Sequence, residues 1–151
     1  MSSDLRHLLS PAAVRLNVAV KDKWEAIKTA GELLVQANCV EQNYIEEMLQ
    51  REKLITSYIG SGVAIPHGTE GSRDMVIKTG LSYIQVPQGV DFDGETARII
   101  IGIAARDDNH LQILSNLAEI LMEASTVQEL IAANSYEEVC RLLTLPAASI
   151  D

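Results

Sequence analysis

The sequence contains no apolar run close to the ~20 residues that a membrane-spanning helix requires. Its N-terminal residues lack the basic and apolar regions of a secretory signal peptide. Cysteine is scarce, and Cys39 and Cys140 have neither the spacing of a metal site nor that of a disulfide framework. These absences together predict a protein of the reducing cytoplasm.

Positive charge is also in short supply. The 12 lysines and arginines face 21 aspartates and glutamates, which gives a formal net charge of −9. That balance argues against nucleic-acid binding, because a nucleic-acid interface needs concentrated positive charge, but it is compatible with a basic protein partner. The 151 residues, of which 47% are hydrophobic and 22% charged, have the composition of an ordinary globular domain, and they contain no repeat or linker.

Hydrophobic periodicity predicts helices interspersed with strands. Capping residues and apolar spacing predict five helix starts. These are at Asp22 with Glu25, near Asn43, at Asp107 or Asp108, at Ser125 with Gln128, and at Ser135 with Glu138. Alternating or β-branched runs predict the strands, which are 14–18, a β-rich piece containing 58–60 and 63–65, 76–86 ending at Pro87, and 97–105. The isoleucine-rich last strand is apolar enough to be central and covered on both faces. We therefore predict an α/β fold, with a mixed β-sheet sandwiched between helices in a single domain.

The run 62–69, Gly-Val-Ala-Ile-Pro-His-Gly-Thr, presents one histidine in a braced backbone. Pro66 has a fixed φ and disfavours the helical conformation at Ile65, so the chain reaches His67 extended. Gly68 then allows the chain to turn away at little steric cost. A histidine held in this way at a strand end can offer a ring nitrogen to an electrophile, although the spacing alone is equally consistent with a structural histidine in a Pro-Gly turn.

Three further regions accompany this run. They are 48–54 with its Arg-Glu-Lys triplet, the sheet region containing 78–80 and 88–92, and 101–110, Ile-Gly-Ile-Ala-Ala-Arg-Asp-Asp-Asn-His. In this order, the segments resemble enzyme IIA of the mannitol/fructose class in the phosphoenolpyruvate:sugar phosphotransferase system, and the last is most similar to the mannitol branch. The resemblance implies one type 2 IIA domain over 1–151, with a core of about 9–143 and an α/β sandwich fold. The ordinary start of the chain and the absence of a linker favour a free-standing protein over a domain of a fused permease.

The resemblance also implies roles for individual residues. His67 is the phosphoacceptor, reacting through Nε2. A neutral imidazole suits this chemistry because its ordinary pKa of about 6.5 leaves a lone pair available at neutral pH. His110 donates a hydrogen bond to the phosphoryl oxygens, and Arg51 binds them through its planar guanidinium. We also expect the hydroxyl of Thr69 to hydrogen-bond the backbone or ring of His67.

Each supporting residue also has an ordinary structural alternative. His110 fits a surface histidine in a polar capping segment, and Arg51 fits a helix C-terminal cation that the macrodipole favours. Thr69 fits a simple turn residue. Other arginines are predicted to be solvated or sheet-edge cations, and these are Arg73, Arg98 and Arg106.

The function that the resemblance implies is phosphoryl relay. The protein takes phosphate from the phosphohistidine of HPr and passes it to a cysteine of enzyme IIB, for uptake and phosphorylation of mannitol, fructose or another polyol. This relay needs no cofactor, no sugar pocket and no insertion into the membrane. The alternative is a nitrogen-related regulatory protein in which phosphorylation of the same histidine controls partner binding. A metal hydrolase built on His67 and His110 is poorly supported, because a catalytic zinc generally needs three protein ligands.

Overall fold

The computed structural model describes the backbone of residues 6–106 and 109–149, and the side chains of residues 7–106, 112–113 and 115–143. Its strands are β1 (Val14–Arg15), β2 (Tyr58–Gly60), β3 (Val63–Ala64), β4 (Gly80–Phe92) and β5 (Glu95–Ala104). They form one five-stranded sheet in the order β1-β4-β5-β3-β2. β4 and β5 form a long antiparallel hairpin, whereas β3 runs parallel to β5 and β1 runs parallel to β4. The mixed sheet confirms the predicted fold class.

Helices cover both faces of this sheet. Within the described residues, the α-helices are α1 (Lys23–Gln36), α2 (Tyr44–Leu54), α3 (Asn109–Leu121), α4 (Ala124–Ala132) and α5 (Tyr136–Ser149). α1 and α2 pack with Ile100 and Ala104 in one hydrophobic cluster. α3, α4 and α5 pack with Ile101 and Ile103 in the other. Successive side chains of β5 enter opposite clusters because strand residues alternate between the two faces of a sheet. β5 is therefore the central, doubly covered strand that its composition predicts.

Two of the predicted capping boxes are confirmed. The backbone N–H of Glu25 donates to Oδ1 of Asp22 over 2.9 Å at the start of α1. The backbone N–H of Glu138 donates to Oγ of Ser135 over 3.1 Å at the start of α5. The prediction that a helix begins near Asn43 is also confirmed, since Asn43 is the N-cap of α2.

The third capping box is wrong. α4 begins at Ala124, its N-cap is Glu123, and no side chain of the cap bonds to the helix. Ser125 and Gln128 therefore lie inside the helix, so the Ser-x-x-Gln pattern marks an interior turn here. The predicted caps of α3, at positions 107 and 108, lie outside the described residues.

The predicted strand over 76–86 is wrong at both ends. β4 spans Gly80–Phe92 and continues through Pro87. Pro87 lies in a shift of register between Gln85 and Val90, where the ladder with β5 is interrupted. A proline is tolerated at such an irregularity because its missing N–H is not needed for a ladder hydrogen bond.

An ionic network built on the buried Glu52 holds the end of α2 against its neighbours. Glu52, only 4% exposed, accepts a hydrogen bond from the Ser57 N–H over 2.9 Å and lies 3.3 Å from Nζ of Lys23. Lys23 also lies 2.7 Å from Asp93 in the β4–β5 turn. Burial lowers the pKa of Lys23, but the hydrogen bond to Asp93 and the charge of Glu52 outweigh it, so the net pKa is raised. This network anchors the helix that carries Arg51.

Candidate active site

His67 lies on an extended segment that continues β3 along the sheet. The Ile65 N–H donates to the Ser57 carbonyl over 2.9 Å, and the Ile103 N–H donates to the Pro66 carbonyl over 2.9 Å. His67 pairs with Ile103 as a parallel bridge near the carboxyl end of β5. Open α/β sheets bind ligands outside the carboxyl ends of their parallel strands. The structure therefore places the histidine at the edge of the sheet where a ligand site is expected.

One hydrogen bond sets the tautomer of the His67 ring. Nδ1 lies 3.0 Å from the carbonyl oxygen of Ile65. A carbonyl oxygen can only accept, so Nδ1 carries the proton of the neutral ring and the lone pair resides on Nε2. The ring is half-buried. A half-buried imidazole in this tautomer can act as a nucleophile through Nε2.

Gly68 is required for space, not for a left-handed backbone. Its φ is not among the positive values, which occur at other glycines such as Gly60 and Gly62 of the β2–β3 turn. A Cβ at position 68 would instead lie 2.4 Å from Oγ of Ser72 and 2.6 Å from Cε1 of Tyr44. The sequence-based explanation, an easy turn after the histidine, is therefore corrected to a close approach between the loop and α2.

His67 opens onto a cavity of about 290 Å³ that Arg51 also lines. Two of the predicted site residues, distant in sequence, are thus brought to one cavity. Nη1 of Arg51 donates to the carbonyl of Ile55 over 2.8 Å, at the C-cap of α2. This bond steadies the guanidinium, while its remaining N–H groups stay available to an oxyanion. Arg51 also lies in the last turn of α2, so its position fits a helix C-terminal cation as well.

Thr69 lines the same cavity, but the predicted hydrogen bond to His67 is wrong. Its hydroxyl donates to Oε1 of Glu47, on α2, over 2.5 Å. A carboxylate is a stronger acceptor than a carbonyl or a neutral imidazole, and α2 brings one within reach. Thr69 therefore connects the loop after His67 to α2. The carbonyl of Ile65, and not Thr69, accepts the proton of the His67 ring.

His110 belongs to the first turn of α3, which follows β5. Its side chain lies outside the described residues, so its predicted contact with a phosphoryl group stays a prediction.

The arginines divide into two groups. Arg98 donates through Nε to the Pro87 carbonyl over 3.1 Å, and Arg106 donates through Nη1 to the carbonyls of Val76 and Ile77 over 2.8 and 3.1 Å. Arg106 is exposed, as predicted, but Arg98 is half-buried on the central strand β5, so its predicted place in solvent or at a sheet edge is wrong. Arg73 is exposed, as predicted, but it lines the cavity that holds His67. Its position six residues after the histidine was the signal available in the sequence.

Tyr44 also lines the cavity, although its apolar spacing on α2 identifies it only as a core residue. It is 3% exposed, and burial raises the pKa of its hydroxyl.

Among the described side chains, no group of three or more histidines, cysteines, aspartates or glutamates is arranged to hold a metal ion. No helix in the described part of the chain is both long and apolar enough to cross a membrane.

Comparison with known proteins gives consistent matches. Residues 7–145 match the family model of the phosphoenolpyruvate-dependent sugar phosphotransferase system, EIIA 2. The mannitol-specific phosphotransferase enzyme IIA component of Geobacillus stearothermophilus is 42% identical over 137 residues, which are 90% of this chain and 94% of that protein.

Solved structures agree in fold. IIA mannitol from Escherichia coli is 41% identical with a TM-score of 0.83, covering 89% of this chain and 97% of that one. The same fold occurs in a complex of enzyme IIA mannitol with phosphorylated enzyme IIB mannitol from Escherichia coli, at 39% identity, a TM-score of 0.82, and coverage of 89% and 95%. The nitrogen regulatory protein IIA-Ntr from Neisseria meningitidis is 29% identical with a TM-score of 0.80, covering 91% and 97%.

The close approach at position 68 predicts a specific sensitivity to one methyl group. We expect Gly68→Ala to lower the free energy of unfolding by about 1–3 kcal/mol, because the added Cβ must displace packed atoms of Tyr44 and Ser72. Gly71→Ala is the matched control, since a Cβ there meets nothing within 4 Å, and it should change stability by no more than about 0.5 kcal/mol. Urea denaturation compares the two, and equal stabilities would contradict the packing described.

Proposed function

Because the chain belongs to the EIIA 2 family of the phosphoenolpyruvate-dependent sugar phosphotransferase system, we propose that it relays phosphoryl groups from phospho-HPr to a cysteine of enzyme IIB, through His67. The observation that carries the proposal is the hydrogen bond from Nδ1 of His67 to Ile65, which leaves the lone pair on Nε2 at a cavity shared with Arg51. The relatives named above support mannitol as the sugar, and the complex with phosphorylated IIB supports that partner.

The chemistry consists of two displacements at phosphorus. In the first, the Nε2 lone pair forms a new N–P bond while the N–P bond of phospho-HPr breaks and its electron pair returns to the imidazole of HPr. Ile65 keeps the proton on Nδ1, so the phosphorylated ring carries a positive charge that the carbonyl stabilises. In the second, the thiolate of IIB attacks the same phosphorus, and His67 leaves as a neutral imidazole.

Positioned charge supports both steps. Charge in the transition state of phosphoryl transfer is spread over three oxygens, so catalysis depends on fixed donors more than on an acid or a base. Arg51 supplies a guanidinium held by Ile55, and we assign His110 the role of a second donor by family resemblance. We further propose that the IIA domain has its core at about 9–143, that it acts in the cytoplasm, and that it requires no cofactor.

The proposal is tested by incubating the chain with labelled phosphoenolpyruvate, enzyme I and HPr, and then adding purified IIB. We expect one acid-labile phosphate on the wild type and none on His67→Ala, because the variant lacks the nucleophile. The label should pass to IIB of a mannitol permease faster than to IIB of a fructose permease. Full labelling of His67→Ala would remove the histidine from the mechanism, and faster transfer to the fructose IIB would reassign the sugar.

Arg51→Lys tests the geometry of the cation at constant charge. We expect phosphoryl transfer to slow by about tenfold or more, because an ammonium cannot make the two-pronged contact of a guanidinium. Folding should be preserved, since a lysine keeps the favourable charge near the C-terminus of α2. Arg15→Lys, an exposed arginine on β1, is the matched control and should transfer at the wild-type rate. If Arg51→Lys is equally fast, Arg51 is only a helix-terminal cation.

A further inference from the structure

The β3–β5 pairing changes its character one residue after His67. In a regular parallel ladder at His67, the Ile103 N–H donates to the Pro66 carbonyl and the Ile103 carbonyl accepts from the Gly68 N–H. The first is direct, from the Ile103 N–H to the Pro66 carbonyl over 2.9 Å. On the other side, the hydroxyl of Tyr44 accepts from the Gly68 N–H over 2.9 Å and donates to the Ile103 carbonyl over 2.9 Å. A side chain from α2 thus bridges the two backbone groups that would pair next.

The ring of Tyr44 reinforces this bridge. The Gly68 backbone lies so close to the ring that a Cβ would be 2.6 Å from Cε1. Burial raises the pKa of the hydroxyl, so it remains protonated at neutral pH and continues to donate to Ile103. Because both of its hydrogen bonds go to backbone groups beside the histidine, a displacement of the Tyr44 hydroxyl moves the loop that carries the His67 ring.

The same face of α2 holds the loop at further points. Positions three and seven residues after Tyr44 lie on its side of a helix. The first is Glu47, which accepts from the Thr69 hydroxyl over 2.5 Å. The second is Arg51, which lines the cavity with His67. One helical face therefore carries the bridge to Gly68, the acceptor for Thr69 and the cation of the site.

We propose that Tyr44 is a positioning residue for phosphoryl transfer, whose hydroxyl holds the residues flanking His67 so that Nε2 faces the incoming phosphorus. The inference rests on the proposed function, in which His67 is the phosphoacceptor. The Tyr44 hydroxyl does not touch the phosphoryl group, because both of its hydrogen bonds are directed to backbone atoms. Its removal should impair the step in which atoms must align, and not the docking of the partner protein.

The test measures kcat and KM for phospho-HPr with full-length Tyr44→Phe, which keeps the ring and deletes the hydroxyl, in the presence of excess enzyme IIB so that the chain turns over. We expect kcat to fall about tenfold to a hundredfold, since small misplacements of reacting groups have effects of that order. KM should be unchanged, and prolonged incubation without IIB should still give the same one phosphate per chain. Tyr58→Phe is the matched control, because the Tyr58 hydroxyl also accepts from a glycine N–H, that of Gly62 over 3.0 Å, but does not line the cavity. Its kcat should equal that of the wild type.

The outcomes separate the possible roles. A folded Tyr44→Phe with wild-type kcat overturns the proposal, and so does an increase in KM alone, which would indicate docking. If circular dichroism shows Tyr44→Phe to be unfolded at the assay temperature, Gly68→Ala decides, since it keeps the hydroxyl but displaces the loop from the ring. An unchanged kcat in Gly68→Ala is then the contradicting result. If the wild-type chain takes no phosphate on His67, the proposed function itself is wrong. That result is obtained without any change at Tyr44, so the two failures can be told apart.

Discussion

A 3.0 Å hydrogen bond between Nδ1 of His67 and the carbonyl of Ile65 is the constraint on which the candidate site depends. It joins a side chain to the backbone two residues earlier, so it requires the segment 65–67 to keep one conformation. The extended backbone before Pro66 and the strand pairing around Ile103 supply that conformation. Local chain stiffness and long-range sheet pairing therefore both fix which ring nitrogen of His67 carries the proton, namely Nδ1.

The surrounding architecture turns this bond into a site. The central strand β5 is covered on both faces, and its carboxyl end provides a rigid edge for the loop. α2 approaches that edge and contributes Tyr44, Glu47 and Arg51 from one face. The ionic network of Glu52 fixes the same helix against α1 and the β4–β5 turn. On a chain with a net charge of −9, this arrangement concentrates the guanidinium groups of Arg51 and Arg73 beside His67, the proposed phosphoacceptor.

Much of the fold and the braced, extended backbone at His67 could be predicted from the sequence, because they depend on local patterns. The isoleucines of β5, the capping pairs at Asp22 and Ser135, and the braced run around His67 each act over a few residues. The family resemblance identified Arg51 as a candidate site residue, and the structure places it at the cavity. Its position near the end of α2 would by itself have indicated only a helix C-terminal cation. Those features were recoverable because local propensity and the final packing agree.

Two of the misses, Thr69 and Tyr44, share a physical cause, which is a hydrogen-bond partner that is distant in sequence. The Thr69 hydroxyl donates to the carboxylate of Glu47 on α2, a partner that no local sequence pattern identifies. Tyr44 has the apolar spacing of a core residue, and only the folded chain shows that its hydroxyl joins Gly68 to Ile103. Pro87 did not end β4, because the ladder is interrupted where the proline lies. Ser125 matched a capping pattern, but the helix begins one residue earlier.

Nε2 of His67 is the atom proposed to carry the phosphate, and nuclear magnetic resonance can observe it. The chain is prepared with ¹⁵N-labelled histidine rings, phosphorylated through enzyme I and HPr, and examined for coupling between ³¹P and each ring nitrogen. We predict phosphorus bonded to Nε2 of His67, because Nδ1 is hydrogen-bonded to the Ile65 carbonyl. Phosphorus bonded to Nδ1 of His67, or to any other residue, would contradict it.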